Sequence, residues 1–81
     1  MAKESTPKPT LRELLTARQF QIAKLVAEGY SDKQIAAELE LAQGTVSVMV
    51  YAAMDRADVT KRVLLATRYA LEKDRGYYEG T

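Results

Sequence analysis

Residues 31–50 read SDKQIAAELELAQGTVSVMV, and this stretch decides the fold. Ser31 and Gln34 have the spacing of a capping box, in which a hydroxyl and a side-chain amide satisfy free backbone N–H groups at the start of a helix. Apolar residues then follow at helical spacing, namely Ile35, Ala36 and Leu39. A connection at 40–43 leads to a second apolar stretch that begins near Gly44. The sequence therefore predicts two short helices joined by a tight turn.

The same helix-start chemistry occurs twice upstream. Thr10 with Glu13, and Thr16 with Gln19, form two further capping boxes. Two helix ends are marked as well. Gly29 and Gly76 each follow a segment of helical periodicity, and a glycine at this position commonly ends a helix.

Helical periodicity extends through the rest of the chain. The Val and Tyr content of 46–54 also suits a strand, but helical spacing continues as far as Ala57 and favours a helix. A last helix is expected over about 60–75, capped by Asp58 or Thr60. The predicted class is all-α: a compact four-helix domain, to which the Thr10 signal adds a short extra N-terminal turn.

Composition disfavours most enzyme classes. The 81 residues include 12 Lys and Arg, 11 Asp and Glu, and neither His nor Cys. The chain therefore has no thiol nucleophile, disulfide, Cys/His zinc site or imidazole base. The acidic pairs Glu38/Glu40 and Asp55/Asp58 are interpreted as solvated surface, since no other catalytic feature accompanies them. We expect no catalytic residue, no metal and no cofactor.

The chain divides into three parts. Residues 1–9, MAKESTPKP, are polar with two prolines and predict a disordered lead. Residues 10–75 form the helical domain, and 76–81 are expected to be a flexible tail, although Tyr77 and Tyr78 also have the option of folding back on the core. The N-terminus has no apolar signal region, and no apolar run approaches the roughly 20 residues that span a bilayer. These features predict a cytoplasmic protein without a membrane partner.

The two helices around 40–43 have the proportions of a helix-turn-helix. The surrounding sequence resembles the LuxR/NarL-type (GerE-type) DNA-binding domain without gaps from Leu15 to about Ala70. The residues that carry the resemblance are Leu15-Thr16-Ala17-Arg18, Ile22, Leu25-Val26-Ala27-Glu28-Gly29, Ser31-Asp32-Lys33-Gln34-Ile35-Ala36, Leu39, Leu41, Thr45-Val46, Val59 and Arg62.

The resemblance implies a four-helix unit whose third helix enters the major groove of duplex DNA and whose fourth helix commonly forms a homodimer. The third helix departs from the family pattern. Ser47 stands where a basic residue is usual, Met49 where His is common, and Ala42 where Ser is usual. Gln19 replaces a common Glu, and Arg56-Ala57-Asp58 replaces Lys-Leu-Gly. These changes affect DNA reading more than the fold.

Helical spacing separates two faces of this third helix. One stripe is expected to face inward, namely Val46, Met49, Val50, Ala53 and Ala57. The residues expected to face the bases are Gln43, Gly44, Ser47, Val48 and Tyr51, and none is positively charged. Gln pairs with an adenine edge, Ser and Tyr bond bases or phosphates, and Val contacts a thymine methyl group. A face carrying Val and Tyr also resembles the core of a protein interface, so both interpretations stand.

Phosphate contacts are expected mainly from outside that face. The candidates are Arg18, Lys33, Thr45, Arg56, Lys61 and Arg62. The basic excess lies in 59–75, which carry a net charge of +3. Because exposed basic side chains often make no specific contact, Arg18 and Lys33 also fit ordinary solvated charges.

The last helix contains an apolar stripe without an obvious partner. The residues of this stripe are Leu64, Thr67, Arg68 and Leu71, whereas Val63, Ala66, Tyr69 and Ala70 are expected to pack inward. Leu64 and Leu71 favour a homodimer seam, and scattered exposed leucines are the alternative interpretation.

The leading hypothesis is therefore a transcription regulator that binds double-stranded DNA as a homodimer, controlled by its abundance or by a partner. A region-4-like module of a sigma factor shares the Leu-Thr-x-Arg and Thr-Val pattern, but predicts more Arg on the third helix. An adaptor that keeps the fold and binds a protein, such as RNA polymerase or another regulator, through Val48 and Tyr51 is the alternative from another class.

Overall fold

The computed structural model describes residues 9–79, and within this range it contains five α-helices and no strand. The helices are α1 (Leu11–Leu14), α2 (Ala17–Ala27), α3 (Asp32–Leu39), α4 (Gln43–Arg56) and α5 (Arg62–Asp74). The all-α prediction is confirmed, with α1 as the extra N-terminal turn. Of the predicted disordered lead, all but Pro9 lies outside the described residues.

Capping side chains fix where the first three helices begin. The Ser31 backbone N–H donates to Gln34 Oε1 at 2.8 Å, and the Gln34 N–H donates back to Ser31 Oγ at 3.1 Å. Thr16 and Gln19 make the same reciprocal pair at 3.0 and 3.1 Å. At α1 the Thr10 N–H donates to the Glu13 carboxylate at 2.7 Å. These bonds satisfy helix-start N–H groups locally, which is why the sequence pattern alone locates the three starts.

The turn between α3 and α4 is made without glycine. Glu40 takes the left-handed conformation that ends α3, with φ of 58°, and the Leu41 N–H donates to the Ala36 carbonyl at 2.9 Å. A non-glycine residue is strained in this region, and the bond to Ala36 together with the packing of Leu41 holds it there. Because this connection is short and its conformation is fixed, it determines the angle between α3 and α4.

Each helix contributes one large side chain to the centre of the core. These fully buried residues are Leu11, Ile22, Ile35, Val46 and Leu65. Helix α2 packs against both α4 and α5, and α3 packs against α4. Because α3 and α4 each bury one face in this core, their remaining faces are held at fixed positions on the surface.

Helix α5 differs from its prediction in two ways. It begins at Arg62 with Lys61 as the N-cap, because Asp58 adopts a left-handed φ of 57° and ends the preceding turn. Its inward stripe is Leu65, Tyr69 and Glu72, spaced four and three residues apart. Val63 and Ala70, expected to pack inward, are exposed, so that part of the prediction was wrong. The predicted inward set lacked two of these residues, the fully buried Leu65 and the glutamate Glu72.

Near the end of the described range, Tyr78 packs against the helices. The ring of Tyr78 lies 4.8 Å from Phe20 and 5.0 Å from Tyr69, measured between ring centroids. Its hydroxyl donates to Glu72 at 2.8 Å. These aromatic contacts and the bond to Glu72 hold Tyr78 on the core, which is one of the two arrangements that the sequence left open for this residue, and the bounds of the domain and tail stay a prediction. Residues 80 and 81 lie outside the described part of the chain.

Candidate nucleic-acid interface

The outer face of α4 projects two large side chains into solvent. Val48 is 68% exposed and Tyr51 is 70% exposed, more than any other large hydrophobic residue in the described range. Gln43, Gly44 and Asp55 are exposed on the same helix. The opposite stripe is buried, namely Val46, Val50, Ala53, Met54 and Ala57. The structure thus brings most of the predicted base-facing residues to one accessible surface without positive charge.

Ser47 differs from the other members of that set. It is half-buried, and its hydroxyl donates to Asp32 Oδ2 on α3 at 2.7 Å. The hydroxyl therefore already has an acceptor within the protein, and Val48 and Tyr51 are the large hydrophobic side chains that α4 presents outward.

One carboxylate joins three helices at this surface. Besides accepting the Ser47 hydroxyl, Asp32 forms an ion pair with the Arg62 guanidinium, which also donates to the Tyr30 carbonyl at 2.8 Å. Asp32 lies at the start of α3, Ser47 in α4 and Arg62 at the start of α5. This Asp32 junction fixes α3 and the start of α5 relative to the exposed face of α4.

Sequence reasoning missed the Asp32 junction. An acidic residue in the first turn of a helix is already explained by its favourable interaction with the helix dipole. The position of Asp32 in the sequence therefore does not indicate that it bonds to other helices. Its partners lie 15 and 30 residues away in the sequence.

The junction lowers the pKa of Asp32. Hydrogen bonds from Arg62 and then from Ser47 stabilise the carboxylate, partial burial opposes them, and the charge of Arg62 adds to the lowering. A carboxyl group whose folded-state pKa is depressed stabilises the fold above its unfolded value near 4, and this contribution is lost as the pH falls through the folded-state value.

We expect Asp32→Asn to be less stable than the wild type at pH 7, by about 1 kcal/mol because Arg62 is partly exposed. The difference should shrink as the pH falls from 5 to 2, since protonation then removes the same charge from the wild type. Urea unfolding at a series of pH values measures this. Asp55→Asn is the matched control, because Asp55 is exposed and has no ion-pair partner among the residues the structure describes. A constant difference across the pH range would contradict the assignment.

The predicted phosphate residues fall into two groups. Arg18, Lys33, Thr45 and Lys61 are exposed, and no ion pair to another described residue holds any of them. Arg56 and Arg62 have acceptors inside the protein, since the Arg56 Nε donates to the Leu14 carbonyl at 2.7 Å and Arg62 belongs to the Asp32 junction. The second group contributes charge near the surface with its orientation already fixed.

A hollow of about 360 Å³ lies beside the Asp32 junction and the outer face of α4. Its lining includes Ser47, Tyr51, Lys61 and Arg62, together with Asp32. The structure therefore brings base-facing and phosphate candidates together here, although they are up to 15 residues apart in the sequence.

Helix α5 presents the predicted dimer stripe only in part. Leu64 and Leu71 are 44% and 49% exposed, and Thr67 is also exposed. Arg68 instead bonds within the protein: it donates to Glu72 at 3.0 Å, to the Ala57 carbonyl at 3.0 Å and to the Pro9 carbonyl at 2.6 Å. The leucines and Thr67 are thus the free members of this stripe.

Other kinds of site have no counterpart in the described structure. Within residues 9–79 no group of three or more acidic, His or Cys side chains is placed to hold a metal. The helices in the same range are also too short or too polar to cross a membrane.

The arrangement of α3, the short turn and the exposed α4 defines a helix-turn-helix domain. The family model of bacterial regulatory proteins of the luxR family, GerE, matches residues 13–69. This match covers more than half of the chain, and the protein belongs to that family. The resemblance drawn from the sequence is confirmed.

A bacterial regulatory protein is also similar to this chain. The transcriptional regulatory protein DesR of Bacillus subtilis (strain 168) is 32% identical over 65 residues, which cover 80% of this chain and 31% of DesR. The chain thus matches about a third of the length of that relative. No solved structure matches the chain.

Proposed function

We propose that this protein is a transcription regulator that binds duplex DNA as a homodimer, with α4 in the major groove. The observation that carries the proposal is the outer face of α4, where Val48 and Tyr51 project from a helix whose other face is locked in the core. A major groove about 12 Å wide admits a helix presented in this way. Membership of a family of regulatory proteins and similarity to a transcriptional regulator support it.

In this proposal the base-facing set is Gln43, Gly44, Ser47, Val48 and Tyr51. Ser47 acts mainly through the Asp32 junction, which holds α4 against α3, while the others face the groove. The surface bears no cation, so readout depends on shape, the Gln43 amide and apolar contacts.

Phosphate binding comes from the residues around that face. Lys33 lies in the first turn of α3 and Arg18 in the first turn of α2, while Lys61 caps α5. Helix N-termini carry partial positive charge and free N–H groups, so a basic side chain there reinforces an existing preference for phosphate. Thr45 adds a hydroxyl in the first turn of α4, and Arg56 adds to the local positive field, whereas Asp32 balances the charge of Arg62.

The exposed stripe of α5 supports the homodimer. Leu64, Thr67 and Leu71 lie on a side of α5 that the other described helices leave uncovered. A two-fold axis along this stripe would place the leucines of the two copies against each other, and two copies double the number of phosphate contacts. The net charge of one chain is only +1, so a single copy has little general electrostatic attraction to DNA. Doubling the phosphate contacts in a dimer raises the affinity for DNA.

The absence of positive charge on the outer face of α4 favours a second candidate, an adaptor that binds a protein through Val48 and Tyr51. A basic face over the helix that enters the groove is typical of DNA-binding domains. Residues 43–55 contain no Lys or Arg and end on Asp55. In this alternative the partner is a component of the transcription machinery, such as RNA polymerase or another regulator.

We expect Lys33→Ala to weaken binding by a similar factor on every duplex sequence, because a phosphate contact positions the protein without reading bases. In a dimer it should also reduce the slope of log affinity against log salt by about 2. Fluorescence anisotropy with several duplexes over a salt series measures both. Lys73→Ala is the control, since Lys73 is also exposed but lies eleven residues, or about 16 Å, beyond the start of α5. A changed sequence preference, or an unchanged slope, would contradict the role of Lys33.

A further inference from the structure

The outer face of α4 lacks the side chains that read guanine. A bidentate bond from Arg or Lys to guanine O6 and N7 is the commonest specific contact to this base, and residues 43–55 contain neither residue. Arg56 follows at the last position of α4, and its Nε donates to the Leu14 carbonyl on α1. Asp55, which suits the cytosine amino group, lies in the last turn, whereas base contacts come mainly from the N-terminal part of a recognition helix. The chemistry of this face therefore disfavours G·C pairs.

The central groups of the face are largely apolar, namely the Val48 side chain and the ring of Tyr51. Val48 is 68% exposed, and Tyr51 follows it by three residues on the same side of the helix. One turn earlier is Gly44, where an added Cβ would meet no atom within 4 Å. Because Gly44 has no side chain, the backbone of α4 can approach the floor of the groove closely at this point. Val48 is then the side chain that extends farthest from this turn of the helix. The Ser47 hydroxyl is bound to Asp32.

Among the groups exposed in the major groove, the C5-methyl of thymine is the apolar one. We propose that Val48 and Tyr51 read thymine methyl groups, and that Gln43 reads an adjacent adenine, so that the preferred half-site has A·T pairs at these positions. This inference rests on the proposed function, because it requires α4 to enter the groove. The inference specifies A·T-containing half-sites as the class of DNA sequence that the outer face of α4 prefers.

The test exchanges thymine for uracil, which removes the methyl group and keeps the base-pairing edge. The full chain first selects duplexes from a random pool, and each thymine of the selected site is then replaced singly by deoxyuridine. We expect one replacement to weaken binding roughly fourfold, the equivalent of about 0.8 kcal/mol for one buried methyl-sized group. Replacement at the symmetric positions of both half-sites should weaken it roughly fifteenfold.

Variants assign the effect to Val48. Val48→Ala should bind the thymine and uracil duplexes equally at the position that Val48 contacts. Val63→Ala is the matched control, because Val63 is 62% exposed on α5, and it should keep the fourfold difference. Both side chains are exposed, so both variants are expected to fold.

The outcomes separate the inference from the proposed function. Selected sites with G·C pairs at the contacted positions, equal affinity for thymine and uracil, or loss of the difference in Val63→Ala and not in Val48→Ala would each overturn the inference while DNA binding stands. Failure to bind any duplex at low salt would overturn the proposed function and the inference with it.

Discussion

Glu72→Ala should lower the free energy of unfolding by about 3 kcal/mol, because Glu72 joins both ends of the described chain. Its carboxylate is nearly buried, with the residue 8% exposed, and accepts bonds from the Leu11 N–H at 2.8 Å, the Tyr78 hydroxyl at 2.8 Å and Arg68 Nε at 3.0 Å. Removal of one carboxylate leaves these donors without their acceptor and Arg68 without its counter-charge. Breaking a buried charged network from one side costs more than the network contributes to stability.

Thermal unfolding followed by circular dichroism measures this effect. For a domain of this size, 3 kcal/mol corresponds to a fall in Tm of roughly 12–24 °C. Glu38→Ala, at an exposed position of α3, is the control and should stay within about 0.5 kcal/mol of the wild type. Glu72→Gln, which keeps an oxygen acceptor, should fall between the two. A Tm for Glu72→Ala equal to that of Glu38→Ala would contradict the role of Glu72.

The second large effect is expected from Leu64→Glu/Leu71→Glu, which should abolish the proposed dimer and leave the monomer folded. Both leucines are about half exposed, so two per subunit contribute only a few kcal/mol at about 25 cal/mol per Å². The cost of association is of similar size, and we expect micromolar or weaker self-association. Two carboxylates per copy in such a seam remove the apolar contact and add repulsion. Binding to a duplex with two half-sites should fall at least tenfold.

Analytical ultracentrifugation at high protein concentration, with and without duplex DNA, measures the loss of dimers. Ala17→Glu/Gln21→Glu adds the same charge at exposed positions of α2 and is the matched control for the measurement without DNA, since Ala17 lies beside Arg18. If the α5 variant still forms dimers, the seam lies elsewhere, and the Val48 and Tyr51 surface is the next candidate.

Local chemistry explains why so much of the fold was predictable. The three capping boxes are satisfied by residues three positions apart, so their sequence pattern already contains the interaction. The outer face of α4 was predictable for a similar reason, because 3.6-residue periodicity separates Val48 and Tyr51 from the buried stripe.

Interactions between distant residues explain what was missed. The inward position of α5 taken by Glu72 looks polar in the sequence, and becomes suitable for burial only with Leu11, Arg68 and Tyr78 around it. Once Leu65, Tyr69 and Glu72 face inward, Val63 and Ala70 are forced outward. The sequence did not reveal the Asp32 junction for the same reason, since the bonds of Ser47 and Arg62 to Asp32 join residues 15 and 30 positions apart.

The residues of the candidate site therefore fall into two groups, those that bond within the protein and those that are exposed. Ser47, Arg56 and Arg62 make hydrogen bonds between helices, whereas Val48, Tyr51, Lys33 and Lys61 are exposed. Composition alone does not separate these two roles, because both groups contain hydroxyl or basic side chains. The hydrogen bonds of the folded chain do separate them.

The most direct test of DNA binding is a salt titration of the full chain with random-sequence duplex DNA. Among the proposed phosphate residues, three cations per subunit have no acceptor inside the described protein, namely Arg18, Lys33 and Lys61, and they make six in a dimer. Each phosphate neutralised contributes about −0.9 to the slope of log affinity against log salt. We therefore expect clear binding at low salt and a slope of roughly −5. Absence of binding at low salt, with Val48 and Tyr51 still exposed in a folded protein, would contradict DNA binding and favour the adaptor.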